Sequence, residues 1–217
     1  MLRSHLCQPH QTLCLDVNVQ TRCELPHLSS LQMQLPTGVS AVTGDEGRGK
    51  TRLLRWLAAD LTPDSGQMRV HLAGGEQVNW PADSQRYQQE VFFADLRLPE
   101  SDEDTPEECW ASLRTRYPRF NEDLLQAFVQ RLKLGEHIHK RLFMLSAGSR
   151  RKVGLAGALA CGATVTLLDQ PFAALDLAST REILEFLQDM SDHPTRAWVV
   201  ADYEAPNGVD LAACIVL

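Results

Sequence analysis

The segment Gly44–Thr51 constrains the chain most strongly, because it reads GDEGRGKT. It fits the phosphate-binding loop pattern G-x-x-x-x-G-K-[ST], in which glycines let backbone N–H groups surround phosphates. In that pattern the lysine, here Lys50, reaches the β/γ-phosphate oxygens, and the hydroxyl residue, here Thr51, binds magnesium. We therefore predict that nucleotide contacts come from Gly44, Asp45, Glu46, Gly47, Arg48, Gly49, Lys50, Thr51 and Arg52.

The residues on either side of this loop support the assignment. The apolar segment Val39–Thr43 predicts a strand before the loop. A helix is predicted after it, because apolar residues recur at helical spacing at Leu53, Leu54, Leu57 and Leu61. This order places phosphates at a helix N-terminus, where free N–H groups and the helix dipole favour negative charge. An ordinary glycine-rich turn is the alternative, and motifs further along the chain argue against it.

Length and composition predict a single domain of the α/β class. With 217 residues and 44% hydrophobic content, the chain is long enough to bury one substantial core. Alternating strand and helix patterns predict a P-loop NTPase core with a mostly parallel sheet, preceded by an N-terminal antiparallel β portion. We expect residues 1–94 and 146–217 to form this core, and residues 95–145 to form a small helical insertion.

The net charge and the cysteines limit the classes of function that the chain can have. The net charge of −7 provides no basic field that would attract nucleic acid, so no nucleic-acid partner is expected. A basic cluster at 150–152 either contacts a ligand or lies on a solvated helix start. Six cysteines without paired spacing indicate reduced thiols, and no signal peptide or membrane-spanning run is evident. These features predict a cytoplasmic protein that reaches a membrane only through a partner.

Local patterns predict most of the remaining elements. The segment Thr105–Glu108 reads TPEE, which predicts a capped helix start with proline at its first position. Asn121 is a second predicted N-cap, and a helix is predicted over Thr180–Met190. Strands are predicted at Leu13–Val19, Leu28–Leu35, Gln67–Leu72, Glu90–Phe93, Val165–Leu168, Ala197–Val200 and Ala212–Leu217.

Three segments in this order, GDEGRGKT, LSAGSRRK and LLDQPFAALD, resemble the nucleotide-binding domain of ATP-binding cassette (ABC) proteins. The resemblance covers nearly the whole chain and is closest to short stand-alone bacterial transporter ATPase subunits. It implies that ATP and Mg2+ bind between two subunits arranged head to tail, in a homodimer or a heterodimer, and that a membrane permease is a partner. Ser146, Ala147 and Gly148 match the signature that meets the γ-phosphate of the opposing subunit.

The resemblance also implies roles for residues further along the chain. Asp169 matches the carboxylate that supports magnesium together with Thr51, and Ala174–Asp176 matches the interface loop that follows it. Gln170 stands where the family has a glutamate that polarises the attacking water. A neutral amide can orient water but cannot accept a proton as a carboxylate does.

Other family positions depart from the pattern as well. Ala94 and Asp95 stand where a water-positioning glutamine is expected, and Ala201 and Asp202 stand where a histidine is expected. Neither phenylalanine, tyrosine nor tryptophan precedes Trp56 to stack on adenine, which leaves His10 or His27 as substitutes.

These departures affect hydrolysis more than binding. The predicted function is an ATP-binding transporter subunit with weak hydrolysis, located in the cytoplasm or at the inner face of the membrane. The alternatives are a non-hydrolysing ATP-dependent interaction module and the degenerate half of a heterodimeric ATPase. The sequence does not identify a transported substrate.

Overall fold

A central parallel sheet organises the fold. The computed structural model describes residues 5–6, 12–94 and 102–217. Among them, six strands form this sheet, and each pairs in parallel with its neighbour except the edge strand β1, which is antiparallel. In spatial order the strands are β1 (His5–Leu6), β10 (Ala213–Val216), β4 (Gly38–Thr43), β9 (Ala197–Asp202), β8 (Val165–Asp169) and β7 (Val91–Ala94).

A second sheet, of four strands, is antiparallel. Its register pairs the N-terminal strands with a hairpin that follows the first helix. In spatial order its strands are β3 (Ser30–Pro36), β2 (Leu13–Gln20), β5 (Ser65–His71) and β6 (Gln77–Trp80). This arrangement confirms the predicted antiparallel portion and adds β6, which was not predicted.

Helices cover both faces of the parallel sheet. In chain order they are α1 (Lys50–Leu57), α2 (Ser84–Glu90), α3 (Pro106–Arg116), α4 (Glu122–Arg131), α5 (Ala147–Ala160) and α6 (Leu177–Asp189). Short 3-10 turns cover Pro26–Leu28 and Leu142–Met144. Parallel strands need crossover connections, and helical crossovers account for this covering of the sheet.

The sheet separates two hydrophobic cores, and side chains of β8 and β9 alternate between them. Leu167 and Val199 pack in the core that the antiparallel sheet and α1 complete. Leu168, Trp198 and Val200 pack in the opposite core with residues of α3 to α6. Since both faces of these strands are buried, their sequences read as continuous apolar runs instead of alternating polar and apolar residues.

The predicted helix caps are confirmed. The Thr105 hydroxyl accepts the backbone N–H of Glu108, and the Glu108 carboxylate accepts the backbone N–H of Thr105 at 2.8 Å. This second bond lowers the pKa of Glu108 below its usual range. The Asn121 side chain accepts the N–H of Leu124 at 2.9 Å and begins α4. Both caps satisfy N–H groups that a helix start leaves without partners.

Several predicted boundaries differ from the structure. Glu90 ends α2 and is not part of a strand, and α2 itself, capped by Asp83, was not predicted. Leu28 lies in a 3-10 turn because Pro26 favours a helical turn start, so β3 begins at Ser30. The helix predicted to start at Thr180 begins at Leu177, because the Asp176 side chain accepts the N–H of Ser179 at 2.8 Å.

A polar clamp holds the segment after α3 against the sheet. Arg119 donates to the Glu90 carboxylate, to the Thr164 hydroxyl at 3.1 Å and to the Gly162 carbonyl at 3.0 Å. Thr164 also donates to the Glu90 carboxylate. Glu90 is almost fully buried, so its charge depends on these donors.

We expect Glu90→Gln to lower the free energy of unfolding by about 1–2 kcal/mol, because a buried acceptor loses charge-assisted hydrogen bonds. Glu122→Gln is the matched control, since Glu122 pairs with Arg114 on the surface with its side chain half exposed, and such pairs contribute about 0–1 kcal/mol. Urea unfolding of both variants measures the difference. Equal midpoints for the two variants would contradict the proposed importance of the clamp.

Candidate functional site

Three neighbouring strands end together at one edge of the parallel sheet. In the register, Thr43 at the end of β4 pairs with Asp202 at the end of β9. On the other side of β9, Ala201 pairs with Asp169 at the end of β8. The phosphate-loop sequence, Asp169 and Asp202 therefore lie at the same carboxyl edge, where ligands bind in open α/β sheets.

The loop after β4 depends on glycine. Gly44, Gly47 and Gly49 all have positive φ angles, and Gly49 caps α1 with φ of 94°. A Cβ at Gly49 would lie 2.5 Å from a methyl carbon of Leu28 and 2.7 Å from one of Leu25. Glycine is therefore required for both the backbone conformation and the close packing that positions the start of α1.

The predicted nucleotide residues lie around this turn. Asp45, Glu46, Gly47 and Arg48 form its exposed tip, and Arg52 is exposed on α1. Lys50, by contrast, is only 6% exposed. Its ammonium donates to the carbonyls of Gly44 at 2.5 Å and Asp45 at 2.9 Å. These bonds hold a positive charge inside the turn.

Thr51 and Asp169 are in direct contact. The Thr51 hydroxyl donates to a carboxylate oxygen of Asp169 at 2.6 Å, and Asp169 is fully buried. A hydroxyl and a carboxylate are oxygen ligands of the kind that Mg2+ prefers, usually with several waters retained. The chemistry of this pair therefore fits the predicted magnesium site, in which Thr51 and Asp169 would hold the ion.

Gln170 is held by its backbone. Its φ angle is 47°, a left-handed conformation that is uncommon for residues other than glycine. Its N–H donates to the carbonyl of Ala201 at 2.8 Å, and its carbonyl accepts a hydrogen bond from Arg151. The backbone of Gln170, which follows Asp169 in the chain, is thus held by β8, β9 and α5 together.

Among the described residues, the ends of β7 and β9 carry neither the glutamine nor the histidine expected there, and β9 ends on the carboxylate of Asp202. Ala94 ends β7 and is buried, and Asp95 lies outside the described residues. Gln88 and Gln89 belong to α2, at the opposite end of β7. Asp202 accepts the N–H of Tyr203 at 2.8 Å.

His193 lies at the opposite edge of the sheet, before β9 begins. Its Nδ1 atom accepts the backbone N–H groups of Thr195 and Arg196 at 3.2 and 3.1 Å. Burial, and then the nearby Arg196 charge, lower the pKa of His193. His193 therefore has a structural role, away from the candidate phosphate site.

Tyr203 is a residue near the site that the sequence prediction missed. The Lys50 ammonium lies 4.7 Å from the centre of its ring. Tyr203 follows β9 directly and is 51% exposed. The sequence contained a usable signal, since an aromatic residue immediately follows a strand that ends at the ligand-binding edge.

The signature segment forms the start of α5. Ser146 caps this helix by accepting the N–H of Ser149 at 3.1 Å, and Ala147 is its first residue. A Cβ added at Gly148 would lie 2.7 Å from the carbonyl oxygen of Ala174. The signature helix and the predicted interface loop are therefore packed too closely for any larger residue at position 148.

The basic cluster of α5 contacts acidic and carbonyl groups of the protein. Arg150 pairs with Asp102 at 2.9 Å, and Lys152 pairs with Asp176 at 2.5 Å. The Lys152 hydrogen bond holds the pKa of Asp176 well below its usual range. These contacts favour a structural role for the cluster over direct contact with a ligand.

Comparison with known families explains this combination of segments. The family model described as "ABC transporter" matches residues 28–173, which is more than half of the chain. The chain belongs to the ABC transporter family. The matched range spans the phosphate loop, the signature segment and Asp169.

Curated relatives and solved structures agree with this assignment. The molybdenum import ATP-binding protein ModC of Brucella abortus (strain 2308) is 30% identical over 188 residues, which cover 83% of this chain and 50% of ModC. The cobalt import ATP-binding protein CbiO of Rhodobacter capsulatus is 32% identical over 209 residues, 87% of this chain and 66% of CbiO. The chain therefore spans about half the length of the ModC relatives it matches.

The fold is also that of solved ABC structures. A putative ABC transporter ATP-binding protein from Pyrococcus furiosus superposes with a TM-score of 0.69 at 20% identity, covering 94% of this chain and 96% of that one. Within the residues that the structure describes, no helix has the length and apolarity needed to cross a bilayer.

Of the two histidines predicted to replace an adenine-stacking aromatic residue, the structure describes His27. His27 lies beside the phosphate loop, with Nε2 3.0 Å from the carbonyl oxygen of Arg48. His10 lies outside the described residues. The contact places an imidazole at the loop, and its role toward a base stays a prediction.

Proposed function

We propose that this chain is the ATP-binding subunit of an ABC-type transporter. It binds Mg·ATP between two subunits and couples slow hydrolysis to a membrane partner. The observation that carries the proposal is the contact between Thr51 and Asp169, beside the buried ammonium of Lys50. This arrangement offers a cation for phosphates and oxygen ligands for magnesium at one sheet edge.

The loop and α1 would bind the phosphates. Backbone N–H groups of Gly47 to Thr51 lie at the start of a helix, where the dipole favours anions. Lys50 would meet the β/γ oxygens. Magnesium held by Thr51 and Asp169 would supply positive charge against the phosphates.

A second subunit would complete the site. Ser146, Ala147 and Gly148 form the N-terminus of α5, which has N–H groups available to a γ-phosphate presented by another chain. The close packing of Gly148 on Ala174 supports this, because the signature and the interface loop would move as one surface. The partner is either a second copy of this chain or a related subunit.

Hydrolysis is expected to be slow because Gln170 stands at the position where the family has its general base. Gln170 stands beside Asp169 with a neutral amide, and a positioned base contributes about 10²–10⁴ in rate. Binding through the loop and positioning of ATP remain, and these supply part of the acceleration in phosphoryl transfer. The same observation favours a second candidate, an interaction module that binds ATP without hydrolysing it.

A membrane partner would determine what is transported. The relatives are named as import ATP-binding proteins for molybdenum and cobalt. We propose that this chain likewise works at the inner face of a membrane, through a permease subunit. Specificity for cargo would then lie in that permease.

Lys50→Ala is expected to weaken Mg·ATP binding by about 100-fold or more. The estimate follows because two hydrogen bonds to charged oxygens, at about 1.5–3 kcal/mol each, are lost. Lys140→Ala, which removes an exposed lysine distant in sequence from the loop, is the control. Calorimetric titration of wild type and both variants measures the effect, and wild-type affinity in Lys50→Ala would refute the assigned site.

Mg·ATP, much more than ADP, is expected to promote association of two subunits. Ser146→Arg should block it by crowding the phosphate, whereas Ser146→Ala, which removes the helix cap, at a cost of about 1 kcal/mol, and a hydroxyl at the proposed γ-phosphate contact, should weaken it less. Analytical sedimentation with saturating nucleotide measures association. A wild-type monomer at every protein concentration, with no related subunit that pairs with it, would remove the main support for a shared site.

Gln170→Glu is expected to raise steady-state ATP hydrolysis at least tenfold, about 1.4 kcal/mol of barrier, because it restores a carboxylate beside Asp169. Gln67→Glu, an exposed change on β5, controls for added charge. The triple variant Ala94→Gln, Gln170→Glu, Asp202→His tests whether water positioning also limits the rate. Unchanged rates in both variants would show that the proposed defect is not what limits hydrolysis.

A further inference from the structure

Tyr203 lies in contact with the charged end of the phosphate-binding lysine. The Lys50 ammonium is 4.7 Å from the centre of the Tyr203 ring, within the range of a cation–π interaction. The two residues meet because β9 and β4 are paired, with Asp202 opposite Thr43. The contact is therefore set by the sheet and not by a chance approach of two surface side chains.

The contact differs from an ordinary surface cation–π pair in its burial. Lys50 is 6% exposed and its ammonium also donates to the carbonyls of Gly44 and Asp45. Tyr203 is 51% exposed, so the ring has one side against the ammonium and a large part of its surface open. A phosphate oxygen that binds Lys50 would consequently lie next to the tyrosine.

Asp202 does not supply a donor at this strand end. Its carboxylate accepts the backbone N–H of Tyr203 at 2.8 Å. A carboxylate has no proton to donate to a phosphate oxygen and would repel it electrostatically. The phenol of Tyr203 does have an O–H donor. At the end of β9, the tyrosine is thus the side chain suited to recognise a phosphate.

We propose that Tyr203 recognises the γ-phosphate of a bound nucleoside triphosphate and so discriminates it from the diphosphate. The phenol O–H donates to a γ-phosphate oxygen, and the ring holds the Lys50 ammonium in position for both nucleotides. This inference rests on the proposed function, because it requires Lys50 to bind the β/γ-phosphates. Tyr203 is a specificity-determining residue in this account and takes no part in the chemical step.

The two contributions of Tyr203 predict different effects for two substitutions. Tyr203→Phe keeps the ring and removes the O–H, so affinity for Mg·ATP should fall about tenfold while affinity for Mg·ADP stays unchanged. Tyr203→Leu removes both, so affinity for both nucleotides should fall and the preference for ATP should also be lost. If Tyr203 had a purely structural role, both variants would lose affinity for Mg·ATP and Mg·ADP to the same extent.

Calorimetric titration of the full chain with Mg·ATP and Mg·ADP provides the test. Phe120→Leu is the matched control, because Phe120 also lies beneath a cation, with Arg114 5.6 Å from its ring centre, but in the segment between α3 and α4. Urea unfolding of each variant shows whether it is folded. A Tyr203→Phe variant that keeps the wild-type ratio of ATP to ADP affinity would overturn the inference.

Failure of this inference can be separated from failure of the proposed function. If wild type binds both nucleotides through Lys50 and Tyr203→Phe keeps the ratio, only the role of Tyr203 is wrong. If wild type binds neither nucleotide, or Lys50→Ala binds as wild type does, the proposed function and the role of Tyr203 are both overturned. A selective loss of ATP affinity in Tyr203→Phe supports both.

Discussion

The hydrogen bond between Thr51 and Asp169 joins two residues that are 118 positions apart in the chain. It forms only if β4 and β8 end at the same edge of one sheet, with β9 parallel to both. Parallel pairing in turn requires crossovers, and these cover both faces of the sheet with helices and create two cores. The helices on both faces of the sheet are therefore a consequence of the parallel pairing that brings the phosphate loop to Asp169.

Several residues with left-handed backbone conformations lie at this edge. Gly44, Gly47 and Gly49 take positive φ angles in the loop, and Gln170 and Ala174 do so after β8. Left-handed conformations of residues other than glycine cost of order 1 kcal/mol or more, and persist where surrounding structure fixes them. The backbone bonds of Gln170 to Ala201 and Arg151 provide that constraint, and the buried strands on both sides supply the stability that offsets the cost.

The sequence predicted the features that depend on short-range chemistry. The phosphate loop, the Thr105 and Asn121 caps and the buried strands follow from motifs, hydrogen-bonding residue types and apolar runs. The sequence predicts the start of α6 three residues late, at Thr180, because Asp176 in the interface loop also caps the helix through its bond to Ser179. An aromatic residue after β9 indicates that Tyr203 lies near the site, but its contact with Lys50 depends on the register between β4 and β9, which the sequence patterns do not specify.

In the proposed function, nucleotide binding and hydrolysis depend on separate positions, and different contacts hold these positions in the structure. The Lys50 side chain bonds two carbonyls of the phosphate loop, and the Thr51 and Asp169 side chains bond each other. Gln170, in contrast, is joined to β9 and α5 through its backbone, so a change of its side chain leaves those bonds in place. Asp202 is different again, because its side chain bonds the N–H of Tyr203. A histidine there would remove that bond next to Tyr203, so we expect nucleotide preference and water positioning to be coupled at the end of β9 but not at the end of β8.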